Sequence, residues 1–292
     1  MFIVSLLTNP EMPALDRATV ETLRNAWGGG DADWLDPGVA AEFAVERIAA
    51  NRWQVWQDLQ ALRIDLAVLP AKGRRKCLLI ADMDSTMIRQ ECIDELADEA
   101  GVGAHVAAIT ARAMNGELDF EAALRERVGL LKGLPEAVIA RVIADRITLM
   151  PGGPVLLATM KANGAHTALV SGGFTAFTAA IAARLGFHES RANVLLTEGG
   201  SLSGKVAEPI LGKEAKVQAL QEITAQLGLS PQDAIAVGDG ANDLPMLETA
   251  GTGVALHAKP RVQAQCDIRV NHGDLTALLY LQGYSRDEFA SC

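Results

Sequence analysis

Two aspartates two residues apart, Asp82 and Asp84, follow the apolar run Cys77-Leu78-Leu79-Ile80-Ala81 and precede Ser85-Thr86. The run reads as a buried strand, and residues i and i+2 at a strand end face the same way. Two carboxylates aimed into one crevice repel each other unless a cation or a proton separates them. The pair therefore points to catalysis rather than to a surface loop. Taken alone Asp-x-Asp is common, and some glycosyltransferases use it to hold a divalent metal and a nucleotide-sugar. Here two further clusters accompany it. Gly238-Asp239-Gly240-Ala241-Asn242-Asp243 follows the apolar run Ala234–Val237, and Ser171-Gly172-Gly173 follows Thr167–Val170. Three polar clusters at three strand ends suggest one site at the carboxyl edge of a parallel sheet.

Each cluster offers a different part of the chemistry. In Ser171-Gly172-Gly173 the glycines let backbone N–H groups approach an anion, a following helix N-terminus adds positive potential, and the hydroxyl adds a donor. Lys213 and Lys216 open a helix, where cations oppose the macrodipole by a few tenths to ~1 kcal/mol each. A bound dianion would compensate that placement, and spacing alone does not choose between the two lysines. Asp239 and Asp243, with Asn242 between them, present hard oxygen ligands that suit Mg²⁺, an ion that takes few carboxylates and keeps waters and phosphate oxygens.

The elements that must position these groups fall into segments. Residues 1–70 read as strand (2–7), helix (13–26), two short strands (31–36 and 39–45), helix (46–60) and strand (63–69). That βαββαβ order suggests a small α+β domain. The stretch 70–76, Pro-Ala-Lys-Gly-Arg-Arg-Lys, reads as a solvated basic linker, so 71–87 comprises linker, first core strand and the Asp-x-Asp loop. Helical spacing at 91–100, 103–115, 119–131 and 135–147 predicts four helices in succession, an inserted cap over 88–150. From 151 to 292 helices alternate with strands at 165–170, 234–238, 253–256 and 267–270, and a hairpin turns at Glu198-Gly199-Gly200. The fold class is α/β: a doubly wound, Rossmann-like parallel sheet carrying a helical cap.

Bulk properties narrow the function. At 292 residues, 49% apolar and 21% charged, the chain can bury a full core. A formal net charge of -10 disfavours nucleic acid and anionic membrane as partners. No apolar run approaches the ~18 residues of a membrane span. Phe2–Leu7 lacks a basic flank and a cleavage site, and reads as a strand rather than a signal peptide. Cys77, Cys92, Cys266 and Cys292 form no CxxC pair, which suits reduced thiols in a cytoplasmic protein. A homodimer is carried as the expectation for assembly.

Taken in order, Asp82-Met83-Asp84-Ser85-Thr86, Ser171-Gly172-Gly173, the lysine at 213–216 and Gly238–Asp243 resemble the four motifs of the haloacid dehalogenase (HAD) superfamily of phosphotransferases. Glu91-Cys92-Ile93-Asp94-Glu95, Met114-Asn115-Gly116 with Phe120, and Leu124–Val128 resemble the cap of those members that act on O-phospho-L-serine. The likeness covers about residues 77 to 283. The first 70 residues resemble, in element order, the ACT-like domains attached to some bacterial members.

The resemblance implies that Asp82 is the nucleophile, forming an aspartyl-phosphate. It implies that Asp84 protonates the leaving serine oxygen and then activates water. Mg²⁺ would be held by Asp82, the backbone carbonyl of Asp84, and Asp239, with Asp243 supporting its water shell. Ser171, Gly172 and Lys216 would hold the phosphoryl oxygens, with Asn242 assisting. In the cap, Glu91 would meet the substrate ammonium and Arg127 its carboxylate, with Met114 and Phe120 closing over the serine. The implied reaction releases L-serine and phosphate, the last step of serine synthesis. Phosphothreonine, phosphohomoserine or transfer to an acceptor such as homoserine remain rival chemistries. A non-catalytic sensor built on the N-terminal domain is the rival of another class.

Overall fold

The computed structural model describes residues 1–114 and 117–291, with Met114 described in its backbone alone. The first segment runs β1 (Phe2–Leu7), α1 (Arg17–Trp27), β2 (Asp33–Asp36), β3 (Ala40–Val45), α2 (Arg52–Gln60) and β4 (Asp65–Pro70). The βαββαβ order is the one read from the sequence. Its strands form an antiparallel sheet in the order β2-β3-β1-β4. Val4 and Leu6, alternate residues of β1, meet Val20 and Leu23 of α1 in a small core. Helix α1 starts four residues later than expected because the Asp16 carboxylate caps it, accepting the Thr19 N–H at 2.7 Å.

The stretch expected as a solvated linker is pinned to the rest of the chain. Arg74 forms a two-pronged ion pair with Glu42 at 2.8 and 2.5 Å, and donates to the carbonyls of Leu281 and Tyr280 at 3.0 and 3.2 Å. These partners lie tens to hundreds of residues away along the chain, so local composition carries no trace of them.

Next comes β5 (Leu78–Ala81), then four helices, α3 (Cys92–Glu99), α4 (Gly103–Met114), α5 (Phe120–Leu130) and α6 (Ala137–Asp145). These are the cap helices expected from the spacing. The chain enters and leaves this layer side by side, through an antiparallel bridge between Ile88 and Leu149. The chain then continues through α7 (Gly153–Ala162), β6 (His166–Phe174), α8 (Thr175–Leu185), β7 (Glu189–Asn193), the hairpin β8 (Leu195–Glu198) and β9 (Ser201–Val206), and α9 (Lys213–Gln226). It ends with β10 (Ala234–Gly238), α10 (Leu244–Thr249), β11 (Thr252–Leu256), α11 (Pro260–Gln263), β12 (Ile268–Val270) and α12 (Ala277–Leu281).

Six strands make a parallel sheet in the order β12-β11-β10-β5-β6-β7. Both faces are buried, which explains the unbroken apolar runs. Leu79 and Ala81 pack on one side with Leu169, Ile235 and Val237. Leu78 and Ile80 pack on the other with α9 residues Leu220 and Ile223. From β5 the chain winds one way to β6 and β7; from β10 it winds the other way to β11 and β12. The crevice between the carboxyl ends of β5 and β10 is thus the switch point where α/β sheets bind ligands.

Two strand assignments differ from expectation. β7, with the sequence Glu-Ser-Arg-Ala-Asn, carries no apolar run, yet it forms the sheet edge beside β6. β6 also continues through Ser171-Gly172-Gly173 to Phe174, with a register shift after Val170. The glycine pair therefore lies in extended chain, directly before the Phe174 N-cap of α8. Among the described residues, no helix is long and apolar enough to cross a membrane. Cys77, Cys92 and Cys266 are free thiols, while Cys292 lies outside the described residues.

Candidate active site

The end of β5 delivers Asp82 into the crevice. Its N–H still belongs to the sheet, donating to the Val237 carbonyl at 3.0 Å, so the side chain is placed by the two central strands. Asp82 and Asp84 are both buried. Asp84 Oδ1 accepts the Cys92 N–H at 3.1 Å, which ties the loop to the start of the cap. A Cβ on Gly173 would fall 2.7 Å from Asp84 Oδ2, so only glycine lets the two loops approach this closely. After Asp84 the chain turns back through Ser85, whose φ is 55°. The Ser85 hydroxyl reaches Glu91 Oε1 at 2.6 Å.

From β10 come Asp239 and Asp243. Asp243 Oδ2 accepts the Gly240 N–H at 3.0 Å, and a Cβ on Gly238 would stand 2.4 Å from the Asp243 Cγ. Thr86 donates to Asp239 Oδ1 at 3.3 Å. The first turn of α9 resolves the lysine ambiguity. Lys213 is exposed beside Glu214, whereas the Lys216 side chain is fully buried, 2.6 Å from Asp82 Oδ1 and 2.5 Å from Asp243 Oδ1.

Electrostatics follow from that crowding. Burial and then Asp243 push the Asp82 carboxyl well above its ordinary value, against the pull of Lys216. Burial and Asp243 bring Asp239 up to about 7. Burial raises Asp84, opposed by the hydrogen bonds of Cys92. Burial also works against the Lys216 charge, but Asp243 and Asp82 outweigh it and hold the ammonium above its usual value. Lys216 thus serves Asp82 and Asp243, while the half-exposed Lys259 ammonium lies 3.7 Å from Asp239 Oδ2. Oxygens of Asp82, Asp239 and Asp243 lie within 4.8 Å of one another; Asp239 Oδ2 is buried with no hydrogen-bond partner and faces Lys259 at that longer distance. Three hard oxygen donors, one of them without a hydrogen bond, fit a divalent cation. Asp84, from which only the backbone carbonyl is expected at the metal, turns its carboxylate towards Cys92.

Beside this acidic end is a small, partly open cavity. Its walls include Asp82, Asp84, Ser171, Gly172 and Asn242 from the core, and Glu91, Phe120 and Arg127 from the cap. Ser171 Oγ accepts the Gly173 N–H at 2.9 Å, leaving its own proton free to donate. Phe120 sits directly over Gly172, where a Cβ would meet the ring at 2.7 Å. Burial, with Asp84 and Asp239 nearby, pushes Glu91 well above its ordinary value. Of two neighbouring arginines the fold selects one. Arg125 is exposed and pairs with Glu121 and Glu208, whereas Arg127 is 4% exposed. Lys216 contacts Asp82 rather than the cavity, and the Met114 side chain lies outside the described residues.

Sequence reasoning passes over several supporting groups. The N–H of Cys92 holds Asp84. Asn193 donates to the carbonyls of Gly172 and Leu211 at 2.9 and 3.2 Å and accepts the Leu211 N–H at 2.6 Å, locking the glycine strand to the loop before α9. Thr110 accepts from Arg127 Nη1 at 3.0 Å. Its one signal is a polar residue four positions after buried Val106, in the buried stripe of α4.

The chain is similar to known proteins over most of its length. Residues 79–248 match the model of the haloacid dehalogenase-like hydrolases. The chain is 48% identical over 222 residues to a phosphoserine phosphatase of Haemophilus influenzae, covering 75% of this chain and 70% of that one. A HAD family hydrolase from Salmonella enterica serovar Typhi superposes with a TM-score of 0.84 at 33% identity, covering 98% of this chain and 99% of that one. A phosphoserine phosphatase solved as a phospho-aspartyl intermediate analogue gives 0.68 at 40% identity, over 70% of this chain and 98% of that one. With motif order, sheet topology and extended identity in agreement, the chain belongs to the haloacid dehalogenase-like hydrolase family.

Proposed function

We propose that this protein is a Mg²⁺-dependent phosphatase that hydrolyses O-phospho-L-serine to L-serine and phosphate. The observation that carries the reading is the composition of one cavity. Core groups that suit a phosphoryl dianion share it with a buried arginine and a glutamate from the cap. Those two suit a carboxylate and an ammonium on one small molecule.

Asp82 attacks phosphorus, and the P–O bond to serine breaks as the Asp82 oxygen bonds. Asp84 starts protonated, as burial favours, and gives that proton to the departing serine oxygen. Asp84 then takes a proton from water, which attacks the aspartyl-phosphate and regenerates Asp82. An ammonium has three N–H donors. Lys216 spends two on Asp82 and Asp243, leaving a third for a phosphoryl oxygen. Backbone N–H groups of the Ser171–Gly173 strand and the Ser171 hydroxyl supply further donors. Held by Asp82, Asp239 and Asp243, Mg²⁺ would supply positive charge against the phosphoryl group, where positioning and charge stabilisation carry most of phosphoryl-transfer catalysis.

The cavity offers about 30 Å³, room for about two waters. Substrate therefore enters when the cap parts from the core, and closure excludes bulk water during chemistry. Phosphate release should be fast with Mg²⁺, abolished by EDTA, and selective for O-phospho-L-serine over O-phospho-L-threonine. Metal-dependent release without that preference would overturn the substrate assignment and leave the hydrolase chemistry standing.

Arg127→Ala isolates the carboxylate contact. Charge-assisted hydrogen bonds contribute ~1.5–3 kcal/mol each, so use of phosphoserine should weaken at least ~10-fold. Hydrolysis of p-nitrophenyl phosphate, which has no carboxylate, should fall less. Equal losses on both substrates would remove Arg127 from that role.

A further inference from the structure

We propose that Thr110, backed by Asp94, is the positioning residue that aims the Arg127 guanidinium, and so sets affinity for the substrate carboxylate. The inference rests on the phosphoserine reading above and extends it to residues outside the cavity wall.

Three cap helices meet at this point. Arg127 of α5 donates from Nη1 to Thr110 Oγ1 of α4 at 3.0 Å, and from Nε to the Ala123 carbonyl at 3.1 Å. Thr110 in turn donates to Asp94 Oδ1 of α3 at 2.6 Å. A hydroxyl has one proton. Because Asp94 takes that proton, a lone pair of Thr110 is left facing Arg127, and the direction of the chain is fixed. Thr110 is 3% exposed and Arg127 4%, so bulk water has little access to the hydrogen bond between them.

The arrangement solves a specific problem. A buried guanidinium needs compensating charge, yet a direct carboxylate partner would occupy the fork that the substrate must use. Among the described residues, the hydrogen-bond partners of Arg127 are a carbonyl and a hydroxyl rather than a carboxylate. Negative charge comes first from Glu91 and then from Asp94, which sits one hydroxyl away. Nε and one N–H of Nη1 are spent on Ala123 and Thr110, which leaves a donor on each Nη for a two-pronged grip on a carboxylate. Thr110 itself does not line the cavity, so its effect passes through Arg127.

Thr110→Val keeps the shape and deletes the hydroxyl. KM for O-phospho-L-serine should rise about 10-fold, the loss of one hydrogen bond to a charged group, with kcat changed far less, while p-nitrophenyl phosphate turnover stays nearly unchanged. Thr110→Ser should restore KM. Asp94→Asn, which removes the charge that orients the hydroxyl, should raise KM in the same direction, and it serves as the second variant should Thr110→Val fold poorly. Arg127→Ala is run alongside. If it discriminates between the two substrates but neither Thr110→Val nor Asp94→Asn does, the positioning proposal is overturned and the carboxylate reading survives. If Arg127→Ala does not discriminate, the carboxylate reading falls and the proposal with it. Equal losses on both substrates in Thr110→Val would mark Thr110 as a packing residue and also overturn the proposal.

Discussion

Asp82→Asn is expected to lower turnover by at least about 10⁴-fold, a barrier increase of about 5.4 kcal/mol, while the protein remains folded. The amide keeps the shape and the sheet-anchored backbone N–H, but it has no lone-pair charge to attack phosphorus. Stability should not suffer in proportion. Burial and Asp243 already disfavour a charged Asp82, and Lys216 keeps its 2.5 Å contact with Asp243. Two measurements check this: phosphate release, and label retained on the chain after acid quenching with ³²P-phosphoserine. Wild-type protein should trap label and the variant none. Trapped label in Asp82→Asn, or substantial residual turnover, would move the nucleophile elsewhere. If Asp82 instead acted as a base for direct attack by water, no label would be trapped in either protein.

Much of this site is legible in the sequence because its central parts are local. The strand-end aspartates are read from an apolar run followed by Asp-x-Asp, and both runs lie in the middle of a sheet buried on both faces. That burial makes the pattern unambiguous, and β5 and β10 fall within a residue of their expected bounds. What is not legible depends on distant partners. Nothing in Lys-Glu-Ala-Lys separates Lys213 from Lys216; the distinction is that α9 turns one towards Asp82 and the other to solvent. The same holds for Arg125 and Arg127, two residues apart on α5 and thus on different faces. Edge strand β7 is polar because one of its flanks meets water, so it lacks the apolar signal of its neighbours. Arg74 reads as linker charge because Glu42 and the Tyr280–Leu281 carbonyls come from elsewhere in the chain. Single hydroxyls and amides, Thr110 and Asn193, leave no periodic pattern at all.

Lys216→Met should separate the buried lysine from the metal as sources of positive charge in the site. The ammonium is fully buried between Asp82 and Asp243. Replacing it relieves one desolvated cation but strands two carboxylates, with Asp239 nearby. Breaking a buried pair from one side costs roughly 3–5 kcal/mol, and here two partners lose their contact, so destabilisation should win over the relief in metal-free protein. A divalent cation bound by the same three aspartates would return the missing charge, stabilising the fold by RT ln(1 + [L]/Kd). The melting temperature of Lys216→Met should therefore start below that of the wild type and rise more steeply with Mg²⁺. Turnover should stay low even at saturating metal, by on the order of 10²–10³-fold, because a metal ion would not restore the ammonium donor proposed for the phosphoryl group. If Mg²⁺ raised both melting temperatures equally, Lys216 and the metal would not be answering the same carboxylates, and the three-aspartate site would have to be redrawn. If metal restored turnover in full, Lys216 would be a structural counter-ion with no part in holding the phosphoryl group.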